Sequence, residues 1–299
     1  MPNQIAPEWS TRTERGNLQA LRFMSWVARR LGRGFVRLLL YPGCVCFAIC
    51  SPHTRAGSIK YLRKALGREP GMRHVFRHIY TFAATILDRV FVFDGQHVLF
   101  DVRVHGEEIV AEMAARGESC FLLGAHMGSF EIVRATGRDA LGSRLSLVMY
   151  EDNVRMFNAV LGAINPALRM QVIAMGRFDS MLKVEAALDH GGFVGMLADR
   201  TIKGEGTVAC EFLGAEAQFP SGPFRLACML KQPMLLMIGL YRGGNRYDVY
   251  FERLADMRDV PRARRDEVLG QALRAYVARL EHYCALEPYN WYNFYDFWK

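Results

Sequence analysis

A histidine and a glutamate near the middle of the chain have the types and spacing of a proton-transfer pair. His126 follows an apolar run that Gly124 ends, and Glu131 lies five residues further along. The run is short and bounded, as a buried strand is, and a helical pattern over 130–141 comes after it. An imidazole at the strand exit and a carboxylate in the first helical turn can approach each other across the intervening turn. We therefore predict that His126 is a general base oriented by Glu131.

Asp199 and Arg200 follow another predicted strand, at 193–197. Functional residues of open α/β sheets lie beyond the carboxyl ends of the strands, so we expect this pair, like His126, at a functional strand end. The same residues also have structural interpretations. A lone histidine near a strand is commonly a packed core residue, and Arg200 could form a salt bridge with Asp199 or another acid that serves the fold alone.

The composition favours a membrane surface as a partner. The chain has 299 residues and a net charge of +8, and 51% of its residues are hydrophobic. A basic protein attracts anionic partners, and the high apolar content indicates an anionic membrane surface in preference to nucleic acid. The sequence contains no paired Cys/His zinc pattern, no RNP-like strand and no arginine-rich repeat, so we expect no nucleic-acid partner.

The cysteines and two neighbouring histidines do not indicate a metal site. Seven cysteines, an odd number, lie mostly in apolar runs and are interpreted as reduced core thiols of a cytosol-facing protein. His74 and His78 have the spacing of metal ligands on one helix face, but the glutamate of an H-E-x-x-H motif is absent. We interpret these two histidines as solvated or packing residues and predict no metal.

The N-terminal segment is predicted to associate with a membrane. A basic, helix-compatible stretch leads into residues 38–50, an uncharged run of 13 residues that contains Pro42 and Gly43. We expect Pro42-Gly43 to break this run, which is too short to span a bilayer unaided. It could lie in the membrane interface, held by the arginines before it and by Trp26. The alternative is a pair of core helices. Residues 1–17 are polar and expected to be loosely ordered.

From residue 101 onward the pattern alternates between strands and helices. Such an order predicts βαβ units and an α/β fold with a mainly parallel central sheet flanked by helices. We divide the chain into a helical, membrane-associating region (1–100) and an α/β domain with a C-terminal helix and an aromatic tail (101–299).

The aromatic tail, residues 288–298, allows two interpretations. Its rings could form a belt at a membrane interface, or the terminus could pack back onto the domain. Asn290, Asn293 and Asp296 are interleaved with the rings. This interleaving indicates specific hydrogen bonds and favours packing.

Three short sequence blocks form a pattern together. The first runs from His126 to Glu131, the second ends in Asp199 and Arg200, and the third is F-P-S-G at 219–222. Their order and spacing resemble the glycerolipid and lysophospholipid acyltransferase superfamily, with its H-x4-D/E motif, its acidic-basic pair and its F-P-x-G block. Within it they are similar to the branch that includes the late acyltransferases of lipid A biosynthesis. The N-terminal helix and the Trp-containing C-terminus extend the resemblance over roughly the whole chain.

The resemblance implies a glycerolipid acyltransferase-like fold and a direct acyl transfer. His126 would take the proton of an acceptor hydroxyl while Glu131 fixes its tautomer, so no acyl-enzyme is required. Backbone N–H groups at Ser221 and Gly222 are candidate donors to the oxyanion, and Arg200 is a candidate phosphate ligand. The residues expected to bind substrate are Ser129, Asp199, Arg200, Pro220, Ser221 and Gly222.

The implied substrates are an acyl thioester and a lipid hydroxyl. The donor would be acyl carrier protein or coenzyme A, with no other cofactor, and the site of action the cytoplasmic face of a bacterial inner membrane with its anionic lipid. Ser221 stands where glycerolipid members carry Glu, which leaves open a lipid A-like acceptor, another glycolipid or an aryl polyene-type lipid. The alternatives are a thioesterase that uses the same dyad and a non-catalytic lipid-binding subunit.

Overall fold

The structure is a computed structural model that describes residues 18–129, 131–132, 144–165, 171–201 and 205–299. Three helices come first in the described chain and a mixed α/β part follows. The helices are α1 (Leu18–Cys50), α2 (Pro52–Leu66), α3 (Met72–Phe93), α4 (Glu107–Ala115), α5 (Glu151–Ile164), α6 (Ser180–Asp189), α7 (Gly222–Met229) and α8 (Arg265–Leu286). The strands are β1 (Asp101–His105), β2 (Cys120–Gly124), β3 (Leu145–Tyr150), β4 (Gln171–Met175), β5 (Phe193–Leu197), β6 (Thr207–Phe212), β7 (Ala215–Pro220), β8 (Met234–Tyr241) and β9 (Arg246–Ala255).

Seven of the strands form one sheet in the order β1-β9-β8-β2-β5-β3-β4. The five strands from β8 to β4 run parallel to one another, whereas β9 returns antiparallel to β8 and carries β1 parallel to itself at the edge. The turn between β8 and β9 uses Gly243 and Gly244, both at positive φ. The predicted α/β fold with a mainly parallel sheet is confirmed. Strands β6 and β7 form a separate antiparallel pair.

The sheet is covered on both faces, which is why its central strands are apolar throughout. Successive residues of a strand point to opposite faces: Phe121 and Leu123 of β2 belong to one hydrophobic core, and Cys120 and Leu122 to the other. The first core contains residues of α2, α6, α7, α8 and the C-terminal tail, and the second contains residues of α1, α3, α4 and α5. The N-terminal helices therefore share their cores with the sheet. The division at residues 100 and 101 stays a prediction.

Helix α1 differs from the sequence prediction. The helix continues through Pro42, so the predicted break at Pro42-Gly43 is wrong, and the irregularity lies at Gly32 instead (φ 78°, ψ 158°). This backbone conformation is open to glycine because it has no Cβ. Among the described residues, one helical stretch, Trp26–Cys50, is long and apolar enough to cross a membrane, judged by length and composition alone.

Much of this stretch is not covered by the rest of the protein. Only 22% of its most apolar window is buried, which contradicts the alternative of a pair of core helices. The run of apolar residues facing outward is longer than the sequence pattern indicated, because Pro42 does not end the helix. The large exposed apolar side chains are Trp26, Leu31, Phe35, Leu38, Leu39, Tyr41, Val45, Phe47 and Ile49.

The C-terminal tail is docked, as the interleaved polar residues predicted. The Asn290 side chain accepts from the Tyr241 N–H at 2.7 Å and donates to the Tyr241 carbonyl at 3.1 Å. Asp296 pairs with Lys60 at 2.6 Å. Trp291 is 1% exposed, so the interpretation of the tail as a membrane belt is wrong for this ring.

The two neighbouring histidines of α3 are packing residues, as predicted. His78 is fully buried, and it bridges the Ser58 hydroxyl and the Trp291 carbonyl, each at 2.8 Å. Burial lowers the pKa of His78 to about 4, although its bond to the Trp291 carbonyl opposes that shift. His74 bonds to the Tyr289 hydroxyl at 2.7 Å. Both histidines therefore join α3 to the tail.

Other predicted segments differ from the structure or lie outside the described residues. The predicted helix over 130–141 lies outside the described residues except at 131–132, and residues 1–17 lie outside them entirely. Strand β7 was not predicted, and the F-P-S-G block begins at its last two residues. The charged pattern over 262–286 predicts one long helix. The helix begins at Arg265, after a 3-10 turn over Arg262–Arg264.

Candidate active site

The pairing of two parallel strands brings His126 and Asp199 together. Strands β2 and β5 are neighbours, with Gly124 opposite Leu197. The register continues one residue further, because the Ala198 N–H donates to the Gly124 carbonyl at 3.0 Å. His126 and Asp199 each follow their strand by two residues, so both lie at the same carboxyl edge of the sheet. This edge is the usual place for a site in such a sheet.

A buried carboxylate holds the imidazole of His126. The Nδ1 atom of His126 lies 2.8 Å from Oδ1 of Asp199. The other carboxylate oxygen accepts the backbone N–H of His126 at 3.1 Å and the indole N–H of Trp291 at 2.9 Å. The Asp199 side chain is 0% exposed, whereas that of His126 is 35% exposed. Since the carboxylate requires a proton on Nδ1, the lone pair is on Nε2.

The charges around the pair favour an ionised aspartate and a neutral histidine. Burial opposes ionisation of Asp199, but His126, Arg200 and Trp291 overcome it and lower the pKa of Asp199 to about 2. Burial and then the charge of Arg200 lower the pKa of His126, and Asp199 only partly opposes them. At neutral pH the imidazole is therefore a free base beside a fixed negative charge, which is the arrangement that general-base catalysis needs.

Glu131 is not the partner of the His126 Nδ1 atom, so the predicted orienting role is corrected. The Glu131 carboxylate is buried, accepts the Ser129 hydroxyl at 3.0 Å and pairs with Nε of Arg89 at 3.1 Å. The chain turns away after His126 because Gly128 has a positive φ of 55°. Glu131 thus contacts α3, and its bond to Ser129 directs the Ser129 hydroxyl inward. Binding of substrate by Ser129 stays a prediction.

The turn that carries His126 is held by β8 and by the tail. The Ser129 N–H donates to the Gly239 carbonyl at 2.9 Å, and the Gly128 N–H donates to the Asn290 carbonyl at 2.8 Å. The His126 carbonyl accepts the Tyr292 N–H at 2.8 Å. A Cβ on either Gly128 or Gly239 would overlap the backbone of the opposite segment. The two glycines therefore allow a close approach that fixes the turn.

Arg200 lies beside the pair without forming an ion pair with Asp199 within the described residues. One of its terminal N–H groups donates to the Tyr292 carbonyl at 2.8 Å, and its guanidinium lies 5.6 Å from the centre of the Tyr295 ring. Its Nε is buried and has no hydrogen-bond partner in the part of the chain that the structure describes. The salt bridge with Asp199 that the sequence left open is not observed, and Arg200 remains a candidate anion ligand.

The third sequence block is placed differently from the expectation. The Ser221 N–H donates to the Gly206 carbonyl at 2.9 Å, and the Ser221 hydroxyl donates to the same oxygen at 2.9 Å. One of the two predicted oxyanion donors is therefore occupied. Pro220 ends β7 and Gly222 begins α7. Among the described residues, no hydrogen bond joins residues 220–222 to His126, and their roles in substrate binding stay predictions.

Three residues of the site were missed by the sequence interpretation. The tail pattern predicts only packing for Trp291, yet its indole N–H donates to the Asp199 carboxylate at 2.9 Å. Arg89 neutralises Glu131 and its charge also lowers the pKa of His126. The Tyr276 hydroxyl donates to the Gly124 carbonyl at 2.8 Å and so fixes the strand exit from the α8 side. No local motif identifies these contacts, because each partner is far away in the sequence.

The described residues contain no group of three or more His, Cys, Asp or Glu side chains arranged to hold a metal ion. The predicted absence of a metal and of a further cofactor stays a prediction.

Comparison with known proteins identifies a matching family and similar solved structures. The family model of bacterial lipid A biosynthesis acyltransferases matches residues 68–299. The crystal structure of a 1-acyl-sn-glycerophosphate (LPA) acyltransferase, PlsC, from Thermotoga maritima is 14% identical to this chain, with a TM-score of 0.38. The match covers 90% of this chain and 96% of that one. No curated protein matches the sequence.

Substitution of the two acidic residues separates the observed pair from the predicted one. Asp199→Asn removes the charge that holds the His126 tautomer, and we expect kcat to fall about 10² to 10⁴-fold, the usual contribution of a general base. Glu131→Gln keeps the hydrogen-bond acceptor and should cost less. Loss of activity with Glu131→Gln but not with Asp199→Asn would support the predicted pairing of His126 with Glu131.

The pH dependence of wild type gives a second prediction. Since the pKa of His126 is lowered, wild-type kcat/KM should stay constant through neutral pH and fall only below the ordinary histidine pKa, as the base becomes protonated.

Proposed function

Because the chain belongs to the bacterial lipid A biosynthesis acyltransferase family, we propose that it transfers a fatty acyl chain from a thioester to a lipid hydroxyl with His126 and Asp199 as the catalytic pair. The observation that carries the proposal is the 2.8 Å contact between His126 Nδ1 and the fully buried Asp199 carboxylate. It leaves Nε2 as the basic atom of an imidazole that is partly exposed to substrate. A base in this state can act on a hydroxyl without first losing a proton.

The proposed reaction has two proton transfers, both at Nε2 of His126. Nε2 accepts the proton of the acceptor hydroxyl as its oxygen bonds to the thioester carbon. The tetrahedral intermediate then collapses, the C–S bond breaks, and the imidazolium returns the proton to the leaving sulfur. The products are an ester and a free thiol. Asp199 stays ionised throughout and stabilises the imidazolium, as expected from its low pKa.

General-base catalysis supplies only part of the rate, about 10² to 10⁴-fold. The rest must come from holding the two substrates in contact and from donors to the developing oxyanion. Arg200 supports this part of the proposal, because its guanidinium lies beside the pair and its Nε has no hydrogen-bond partner within the described chain. A guanidinium suits bidentate binding of phosphate.

The proposed donor is acyl carrier protein, with coenzyme A as the second choice. The net charge of +8 favours an acidic carrier protein, and the same charge favours an anionic membrane. The acceptor is a lipid hydroxyl, on a lipid A-like molecule, another glycolipid or an aryl polyene-type lipid. Both classes of donor are cytosolic, so we place the reaction on the cytoplasmic face of a bacterial inner membrane.

A paired assay of lipid and fatty acid products tests the reaction. Purified wild type and His126→Ala would each receive labelled acyl-acyl carrier protein or acyl-coenzyme A with a bacterial lipid extract, and products would be identified by mass spectrometry. We expect an acylated lipid with wild type and no detectable transfer with His126→Ala, since the base is gone. The mass that the lipid gains would identify the acyl chain. The lipid part of the product would identify the acceptor.

The control for this assay is the melting temperature of His126→Ala. It should fall, because the buried Asp199 carboxylate loses one of its donors, so the assay is run at a temperature at which the variant is folded. Fatty acid released by wild type at a rate that added lipid does not change would identify a thioesterase. Transfer by His126→Ala at the wild-type rate would contradict the base assignment.

Helix α1 is the proposed membrane contact. Its outward face carries large apolar side chains, and two of them, Leu38 and Ile49, are each 63% exposed. Exposed apolar patches of this kind mark interaction surfaces, and the arginines on the same helix favour anionic lipid. The proposal is that α1 inserts into the cytoplasmic leaflet of the inner membrane.

Charge substitutions on α1 test this contact. Leu38→Glu together with Ile49→Glu should weaken binding to anionic vesicles strongly, because charged side chains are expensive in the hydrocarbon region. Val98→Glu, at a fully exposed apolar residue outside α1, is the matched control and should bind as wild type does. Equal binding by all three proteins in a flotation assay would contradict the role of α1.

The cytoplasmic location has a separate test. Cleavage of the protein by protease added outside spheroplasts would contradict that location.

A further inference from the structure

A cavity of about 560 Å³ lies between α1, α3, the turn of the β8–β9 hairpin and the start of the tail. We call it the basic cleft. Its volume is in the range of small-ligand sites. Several tyrosines line it together with four arginines, which are Arg33, Arg37, Arg77 and Arg242. The lining therefore offers many N–H and O–H donors and few acceptors.

Two of these arginines share one buried acid. Arg33 donates to the Asp88 carboxylate at 2.7 Å and 2.9 Å, and Arg37 lies 3.8 Å from the same group. Arg37 also donates to the Tyr241 hydroxyl and to the Gly244 carbonyl. Asp88 is 1% exposed. The single negative charge of Asp88, buried behind the cleft lining, therefore faces the two positive charges of Arg33 and Arg37.

The other two arginines differ from each other. Arg242 lies between Asp248, at 2.9 Å, and Glu287, at 2.6 Å, so its charge is compensated. Arg77 is exposed, lies 4.3 Å from the centre of the Tyr289 ring, and has no carboxylate partner among the described residues. Four guanidinium groups thus meet three carboxylates. The positive charge left over is carried at the mouth of the cleft, on Arg77.

We propose that the basic cleft binds the phosphate group of a phosphate ester. A guanidinium over an aromatic ring is partly desolvated and keeps its N–H fork free for a tetrahedral oxyanion. Tyr80 lies in the same lining, and its hydroxyl can donate to a further oxygen. Tyr289 also lines the cleft, with its hydroxyl bonded to His74. Phosphate accepts more hydrogen bonds than a carboxylate does, which matches a site with several donors.

Two sources could supply this phosphate, a lipid headgroup and a soluble phosphate ester. The rim of the cleft favours the headgroup, because Leu38 and Tyr41 of α1 belong to the lining and are 63% and 48% exposed. An apolar rim beside a basic cavity suits a molecule whose phosphate is attached to acyl chains.

The cleft is distinct from the proposed acyl-transfer centre, but it shares residues with the segments that hold the turn carrying His126. Asn290 lines the cleft, and its carbonyl accepts the N–H of Gly128 in the turn that carries His126. Tyr241, also in the lining, is clamped by the Asn290 side chain. Binding at the cleft requires none of the chemistry proposed for His126, so the two can fail separately.

Binding of defined ligands to Arg77→Gln and Arg73→Gln tests the proposal. Both residues are exposed on α3, and both substitutions remove one positive charge, but only Arg77 lines the cleft. The ligands are phosphatidylcholine vesicles doped with phosphatidic acid, the same vesicles doped with oleate to equal surface potential, and soluble glycerol phosphate. We expect Arg77→Gln to weaken binding to phosphatidic acid vesicles about tenfold, the value of one charged hydrogen bond.

Arg73→Gln and the oleate vesicles should show no such loss. A loss with Arg77→Gln that appears only for glycerol phosphate would support the site and identify a soluble phosphate ester as its ligand. Equal losses for the two variants, or no loss for Arg77→Gln with either phosphate, would overturn the proposal. Melting temperatures of both variants would verify that the fold is intact.

Discussion

The buried carboxylate of Asp199 is the constraint on which the rest of the structure depends. An isolated ionised carboxylate is expensive to bury, and it is retained only when donors surround it. The three donors come from two distant parts of the chain, the exit of β2 and the indole of Trp291. The set of donors around Asp199 is therefore complete only when the C-terminal tail is docked. The aromatic tail is part of the candidate site as well as part of the core.

Helix α3 connects this centre to α1. Its His78 accepts from Ser58 of α2 and donates to the Trp291 carbonyl, and its Arg89 pairs with Glu131. On the same helix, Asp88 binds Arg33 of α1 and the Tyr247 hydroxyl of β9. A single helix thus contacts the tail, Glu131 beside the turn that carries His126, the sheet and α1. A shift of α1 relative to the sheet would therefore break or rearrange these polar contacts.

The sequence is sufficient for every strand except β7 and for the family. Apolar runs such as Met234–Tyr241 predict buried strands directly, and His126 and Asp199 were both placed at strand ends. What the sequence did not contain was the order of the strands. Only the parallel pairing of β2 with β5 makes Asp199 the neighbour of His126, and that pairing joins residues 73 apart along the chain. Local spacing and the H-x4-D/E motif both favour the nearer acid, Glu131, because neither contains the order of the strands. In the fold Gly128 turns the chain, and Arg89, which no local pattern connects to Glu131, pairs with it instead.

The central claim is that Asp199 holds His126 as a neutral imidazole with its proton on Nδ1. Nitrogen-15 NMR of the histidine side chains measures this directly, with the His126 signal assigned by its absence in His126→Ala. At neutral pH the account predicts a neutral ring with a protonated Nδ1 and a bare Nε2, and a change of that tautomer population in Asp199→Asn. A proton on Nε2, or a charged imidazolium at neutral pH, would contradict it.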